Sequence, residues 1–187
     1  FIRLHAAEEY PRECCGLVLD LGNNRFLAVK CVNQYPDLPL TEISPKNPVK
    51  SSRIDFLIDP LAAIEAEKQG KIVAVYHSHP DGQAIFSPAD IISSEETGYP
   101  YLVVECPGAG WATYAPKGFQ CQLIGRSFIY GVYDCYTLVR DWHIQRGIVF
   151  PPSLVKDYGW WTEHANEDYY LSGLRKAGFY VTEELQA

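Results

Sequence analysis

The sequence predicts an α/β fold in which helices pack on the faces of one sheet. Three observations predict it. Strand-like and helix-like segments alternate through residue 124. Residues 71–79 (KIVAVYHSH) carry the valine and isoleucine of a buried strand. Apolar residues make up 47% of the 187-residue chain, enough for a packed core.

Taken in order, residues 1–10 form a short helix that Pro11 stops. Residues 14–19 read as a buried strand, Gly22-Asn23-Asn24 as its turn, and residues 25–32 as the returning strand. Residues 33–52 are proline-punctuated and without period, hence loop. Residues 54–58 are a short strand. Asp59 and Pro60 then supply the N-cap and first position of a helix that runs to Gln69 and stops at Gly70. After the strand over 71–79 comes a loop, and Ser87-Pro88-Ala89-Asp90 opens a helix to about Glu96. Three strands follow, over 101–106, 111–115 and 119–124, separated by Pro/Gly turns at 107–110 and 116–118.

The character changes near Gly125, where aromatics become dense from Phe128 to Tyr170. Asp134 caps a helix that begins at Cys135, continues to about Arg146 and ends at Gly147; Pro151-Pro152 breaks the chain, and a second helix is predicted over about 167–176. Two domains are therefore expected, 1–124 and 125–187.

Net charge is −7 and the pI about 5.2, which argues against nucleic acid or an anionic membrane as the main partner. No stretch has the apolar length of a membrane span, and Arg3, His5, Glu8 and Glu9 interrupt the start where a signal peptide would lie. The chain starts at Phe1 and contains no methionine, which suggests processing or trimming. Six cysteines (14, 15, 31, 106, 121 and 135) form no C-x-x-C pair, and reduced thiols are the expectation for a chain of this size.

The densest chemistry lies in residues 77–90, H-S-H-P-D-G-Q-A-I-F-S-P-A-D. On a strand, His77 and His79 project from one face and Ser78 from the other. Asp90 falls in the first turn of the next helix, within reach of the strand end. Two imidazoles and a carboxylate are the donors of a zinc ion that keeps one position for water. The plain alternative is that Ser87-Pro88-Ala89-Asp90 is an ordinary helix start, with Ser as N-cap and an acid at N3. Hydrolysis at such a metal also needs a general base, for which Glu13 is the candidate. Its plain alternative is a solvated acid paired with Arg12.

Glu13, then H-x-H, seven residues, Ser87, two residues and Asp90 resembles the motif of JAMM (MPN-positive) metalloproteases. The resemblance covers roughly residues 1–124, and P-R-E-C-C-G with H-S-H-P is similar to the prokaryotic and phage branch. It implies an α/β sandwich around a curved mixed sheet, like that of cytidine deaminases. It implies Zn²⁺ on His77, His79 and Asp90, with Glu13 passing a proton from the activated water to the leaving amine. Ser87 would steady the tetrahedral intermediate. The implied reaction is cleavage of peptide or isopeptide bonds. Cys14 and Cys15 are outside the motif and read as core.

Residues 131–141 (GVYDCYTLVRD) resemble the nucleophile segment of NlpC/P60 cysteine peptidases, which implies the helical N-terminal part of a papain-like α+β domain with Cys135 as nucleophile. A helix N-terminus favours thiolate. That family's later histidine has no counterpart here. His143 lies eight residues on, about 12 Å along the helix and about 80° around it, out of reach of the thiol, and no histidine follows His164. Cys135 is therefore expected to be inactive in this chain. The two-part order is that of phage tail-assembly proteins, which implies protein or peptide substrates, other tail proteins as partners, and a place in the host cytoplasm during assembly or at the tail tip. Two other functions stay open: a non-enzymatic tail-tip component, and a cell-wall peptidase acting through Cys135.

Overall fold

The structure is a computed structural model that describes residues 1–42, 50–126, 128, 133–149, 175, 176 and 178–180. The chain divides into two compact units, Phe1–Gln120 and Cys121–Ala187.

The first unit is mixed α/β. Its elements are α1 (Ile2–Glu9), β1 (Cys15–Asp20), β2 (Phe26–Cys31), α2 (Pro60–Glu67), β3 (Lys71–Pro80), α3 (Pro88–Thr97), β4 (Tyr101–Cys106) and β5 (Trp111–Tyr114), with a 3-10 turn over Leu40–Glu42. The five strands form one sheet in the order β2-β1-β3-β4-β5. β1 pairs antiparallel with β2 and β3, β4 pairs antiparallel with β5, and β3 with β4 is the parallel pair. The ten-residue β3 is thus central, and its pleat sends alternate side chains to two different layers. Val75 joins Cys15, Leu17, Leu19, Ile72 and Tyr101 in a core that also takes in Ala66 of α2. Tyr76 joins Cys14, Val104 and Cys106 in a second core with Ala6 of α1. Cys14 and Cys15 therefore fill the two layers from adjacent positions, and all six cysteines are free thiols.

Local chemistry places the helix starts. The Asp59 carboxylate accepts from Leu61 N at 2.9 Å, with Pro60 at the first position of α2. Ser87 and Asp90 form a reciprocal capping box at α3, and Gly98, at φ +73°, ends it. Gly16 is dictated by close approach: a Cβ there would lie 2.3 Å from the Val29 carbonyl and 2.4 Å from the Tyr76 ring. That ring crosses β1, donates to Val29 O at 3.3 Å and meets His5 Nδ1 at 3.0 Å.

Two predicted strands are absent. Residues 54–58 make only a single bridge, Ile58 to Asn33. The Asn33 side chain takes the place of a partner strand: its Oδ1 accepts from Tyr35 N and Leu57 N, and its Nδ2 donates to the Asp55 and Glu13 carbonyls. Residues 119–124 are likewise irregular. The Glu95 carboxylate captures the backbone N–H groups of Lys117 and Gly118 just before them, and Ile124 is 89% exposed.

In the second unit, α4 spans Cys135–Ile144. Asp134 and Thr137 form its capping box. Arg126 reaches Asp141 at 2.7 Å. The predicted helix over 167–176 lies, apart from residues 175 and 176, outside the described residues, as do Pro151-Pro152 and His164.

Candidate metal centre

His77 and His79 sit at the end of β3, on the face shared with Val75. The pleat brings their rings together, with the two Nε2 atoms 3.2 Å apart. Asp90 is aimed at them by its own helix cap. Its Oδ2 accepts from Ser87 N at 2.7 Å while Asp90 N donates to Ser87 Oγ at 3.1 Å. The carboxylate so held stands 3.3 Å from His77 Nε2 through Oδ1 and 3.6 Å from His79 Nε2 through Oδ2. One donor atom from each of the three residues falls within 4.8 Å of the others.

Protonation follows from the neighbours. His79 Nδ1 lies 2.9 Å from the Gln83 carbonyl, which can only accept, so Nδ1 carries the proton and Nε2 presents its lone pair in the neutral ring. Burial works against charge on Asp90, but hydrogen bonds with His77 and His79, and then Ser87, outweigh it and hold the carboxyl well below its ordinary range. Burial likewise opposes a charged His79, and contact with Asp90 and the Gln83 carbonyl overrides it to raise its pKa. His77 is fully buried and its Nδ1 has no hydrogen-bond partner. Phe56 stacks on its ring at 4.8 Å.

These donors fit a zinc ion. Two imidazole nitrogens at about 2.0–2.1 Å from a tetrahedral zinc stand about 3.3–3.4 Å apart, close to the separation seen. Without a cation, the inward lone pair of His79 faces a second imidazole nitrogen and an anionic carboxylate. A divalent ion would satisfy all three.

Glu13 is 4% exposed. The alternative pairing with Arg12 is not made; Arg12 bonds Glu9 at 2.5 Å instead. Glu13 is held by its backbone, N to Ser52 O at 2.5 Å and O from Asn33 Nδ2 at 3.2 Å. Next to it, Cys14 N donates to Ser78 Oγ at 2.9 Å and Ser78 N to Cys14 O at 3.2 Å, which extends the β1–β3 pairing past Cys15↔His77. Glu13 lies just outside this pairing, close enough to Asp90 to feel its charge. Burial pushes its carboxyl up to about 9, and the charges of Asp90 and Asp55 add to the effect while Lys50 opposes it. Ser87 is half-buried at the same edge; as a cap its oxygen accepts, which leaves its own proton free to donate. In the second unit, Cys135 is exposed at the first position of α4, and His143 bonds the Val139 carbonyl of its own helix at 2.8 Å.

Sequence reasoning missed Gln83, Phe56, Lys50 and Asp55. Gln83 acts through its backbone carbonyl, which leaves no mark in residue identity. Lys50 and Asp55 form an ion pair beside Glu13 from a segment read as loop and strand.

A mixed sheet whose central strand ends in two histidines that meet an aspartate of α3 is consistent with a JAB-type domain. Residues 2–120 match Prok-JAB, the prokaryotic homologs of the JAB domain, and the chain belongs to that family. It is 31% identical over 179 residues to the tail tip assembly protein K of Escherichia phage N15, covering 95% of this chain and 67% of that protein. The protein of the same name from Escherichia phage lambda is 39% identical over 119 residues, 63% of this chain and 55% of that one. A probable TtuB-protein conjugate cleaving protease of Thermus thermophilus is 32% identical over 127 residues, 65% of this chain and 74% of its own length. The chain thus spans about two thirds of the N15 relative and just over half of the lambda one.

Proposed function

We propose that residues 1–124 are a JAMM-type zinc metallopeptidase domain that hydrolyses peptide or isopeptide bonds during phage tail assembly. The observation that carries the reading is the convergence of His77, His79 and Asp90, with the buried Glu13 carboxyl electrostatically coupled to Asp90. His77 Nε2, His79 Nε2 and an Asp90 oxygen would hold the ion. When bound, zinc lowers the pKa of a water to about 7 and polarises a carbonyl oxygen.

The chain's own residues do the rest. Glu13 is neutral in the metal-free protein at pH 7, and a dication beside Asp90 would favour its charged form by the same Coulombic route that now opposes it. As carboxylate it takes a proton from the attacking water, then gives it to the leaving nitrogen as the C–N bond breaks. The Ser87 hydroxyl donates to the oxygen on which negative charge develops. Phe56, Phe86 and Tyr101 surround His77 with rings and keep the local dielectric low. The names of the phage relatives support tail proteins as partners, and that of the Thermus relative supports a protein conjugate as the type of substrate.

For residues 125–187 we infer the start of an NlpC/P60-like domain, supported by the exposed Cys135 at a capped helix start. No activity is assigned to it, because His143 is engaged by Val139 on its own helix.

The test is metal analysis with turnover. Purified protein should carry close to one equivalent of zinc and cleave tail-protein or ubiquitin-like fusion substrates. Glu13→Gln should keep the metal and lose cleavage. Zinc below a tenth of an equivalent at neutral pH, or full cleavage by Glu13→Gln, would overturn the assignment.

A further inference from the structure

We propose that Glu105 is a positioning residue for His79: it clamps the loop whose Gln83 carbonyl holds the His79 Nδ1 proton, and so keeps Nε2 open as a ligand. The inference rests on the metal reading above.

Glu105 is the register partner of His79 in the parallel β3–β4 pair. Each of its carboxylate oxygens is committed to a backbone donor. Oε1 accepts from Ala84 N at 3.2 Å and Oε2 from Gly110 N at 3.0 Å. The two donors belong to different loops, one after β3 and one between β4 and β5. The second loop is shaped around the carboxylate: a Cβ at Gly110 would stand 2.3 Å from Glu105 Cδ, and one at Gly108 2.7 Å from Oε2.

Ala84 directly follows Gln83, so the Glu105–Ala84 bond fixes the peptide that bears the Gln83 carbonyl. That carbonyl takes the His79 Nδ1 proton at 2.9 Å and Ile85 N at 2.8 Å. The first half of the same loop is tied separately, by Asp81 N to Cys106 O at 2.8 Å and Gly82 N to His79 O at 3.3 Å. Glu105 thus holds the half that matters for the imidazole. With the 83–84 peptide released, neutral His79 can carry its proton on Nε2, where it blocks a cation. Loss of such an outer partner lowers metal affinity about 10–100-fold.

The experiment uses the full chain with Glu105→Ala, Glu105→Gln and a control, Glu95→Gln. Glu95 makes the same kind of clamp on the turn after β5, at Lys117 N (3.0 Å) and Gly118 N (2.9 Å), and also accepts from the Tyr114 hydroxyl. Zinc affinity is measured by chelator competition at pH 8. The tautomer of His79 in zinc-free protein is read from its ring ¹⁵N shifts. Glu105→Ala should weaken zinc binding about 10–100-fold and mix the His79 tautomers. Glu105→Gln, which keeps one accepting oxygen, should fall between, and Glu95→Gln should change neither readout. A pure Nδ1–H form in both Glu105 variants, or zinc affinity within twofold of wild type in both, would overturn the proposal. Should wild type bind no zinc, the metal reading fails and the tautomer readout still decides the role of Glu105. Should Glu105→Ala not fold, Glu105→Gln carries the same decision.

Discussion

Glu13→Gln should stabilise the metal-free protein while it abolishes turnover. In the folded chain burial pushes the Glu13 carboxyl up to about 9 from an ordinary 4.5, with Asp90 and Asp55 adding to it. The folded state therefore holds a proton that the unfolded state has lost throughout the range between those values. The Glu13 contribution to stability is therefore most favourable below about pH 4.5 and falls as pH rises toward 9, at up to about 1.4 kcal/mol per pH unit. At pH 7 the accumulated cost is about 3 kcal/mol, a large part of the stability of a small domain. Glutamine has the same shape and stays neutral, so it removes that slope. The assay is urea unfolding of EDTA-treated wild type and variant at pH 5, 7 and 8.5. The variant should be only slightly more stable at pH 5 and ahead by about 3 kcal/mol at pH 7, with a wider gap at pH 8.5. Asp90 and His79 titrate in both proteins, so the difference isolates Glu13. Zinc should narrow the gap, since a dication favours the carboxylate. A gap that does not grow with pH, or a variant less stable than wild type at pH 8.5, would refute the claim that Glu13 is held neutral by burial.

Other outcomes follow from single contacts. Gly16→Ala forces a methyl against Val29 O and the Tyr76 ring, and should cost about 1–3 kcal/mol in chemical denaturation with β1 disturbed. Zinc affinity should fall with acidity, by about tenfold per pH unit for each histidine that takes up a proton; His79, whose pKa is raised, protonates early in that descent, and isothermal titration between pH 8 and 5 reads the slope. Ser87→Ala removes the α3 cap and, in the proposed mechanism, a donor to the oxyanion. About 1 kcal/mol should be lost in thermal unfolding, and turnover should drop about 10²–10³-fold with zinc content kept.

Legibility in the sequence tracks the range of the interaction. Helix starts were readable because a cap is a four-residue event: Asp59, Ser87 and Asp134 all act as their spacing indicates. The shared face of His77 and His79 was readable because a strand has period two. Glu13 was only half readable. Its residue type fits the role, but burial depends on the β1–β3 register and on Ser52 and Asn33, which arrive from a loop far along the chain. The strand expected over 54–58 failed for the same reason, because an asparagine side chain took the backbone groups that a strand would have paired. Gln83 and Glu105 were invisible, since a carbonyl and its distant anchor have no local signature.

The helix cap and the proposed metal ligand need not be rival explanations of Ser87 and Asp90, because the cap aims the carboxylate at the histidines. A free aspartate in a first helical turn samples several rotamers and would bind an ion only after it was ordered. Here Oδ2 is tied to Ser87 N at 2.7 Å, and that bond turns Oδ1 to within 3.3 Å of His77 Nε2. The capping box would therefore prepay the ordering entropy of Asp90 as the proposed ligand. The same logic separates two changes at this position. Asp90→Asn keeps an oxygen for the Ser87 N–H and should leave α3 intact, yet it replaces the anion with a neutral amide whose donor face opposes a cation. If Asp90→Asn binds zinc as wild type does, the carboxylate contributes geometry alone and its charge is dispensable. If zinc is lost while the fold keeps its melting temperature within a few degrees, the cap and the ligand are two functions of one side chain, separable by a single atom.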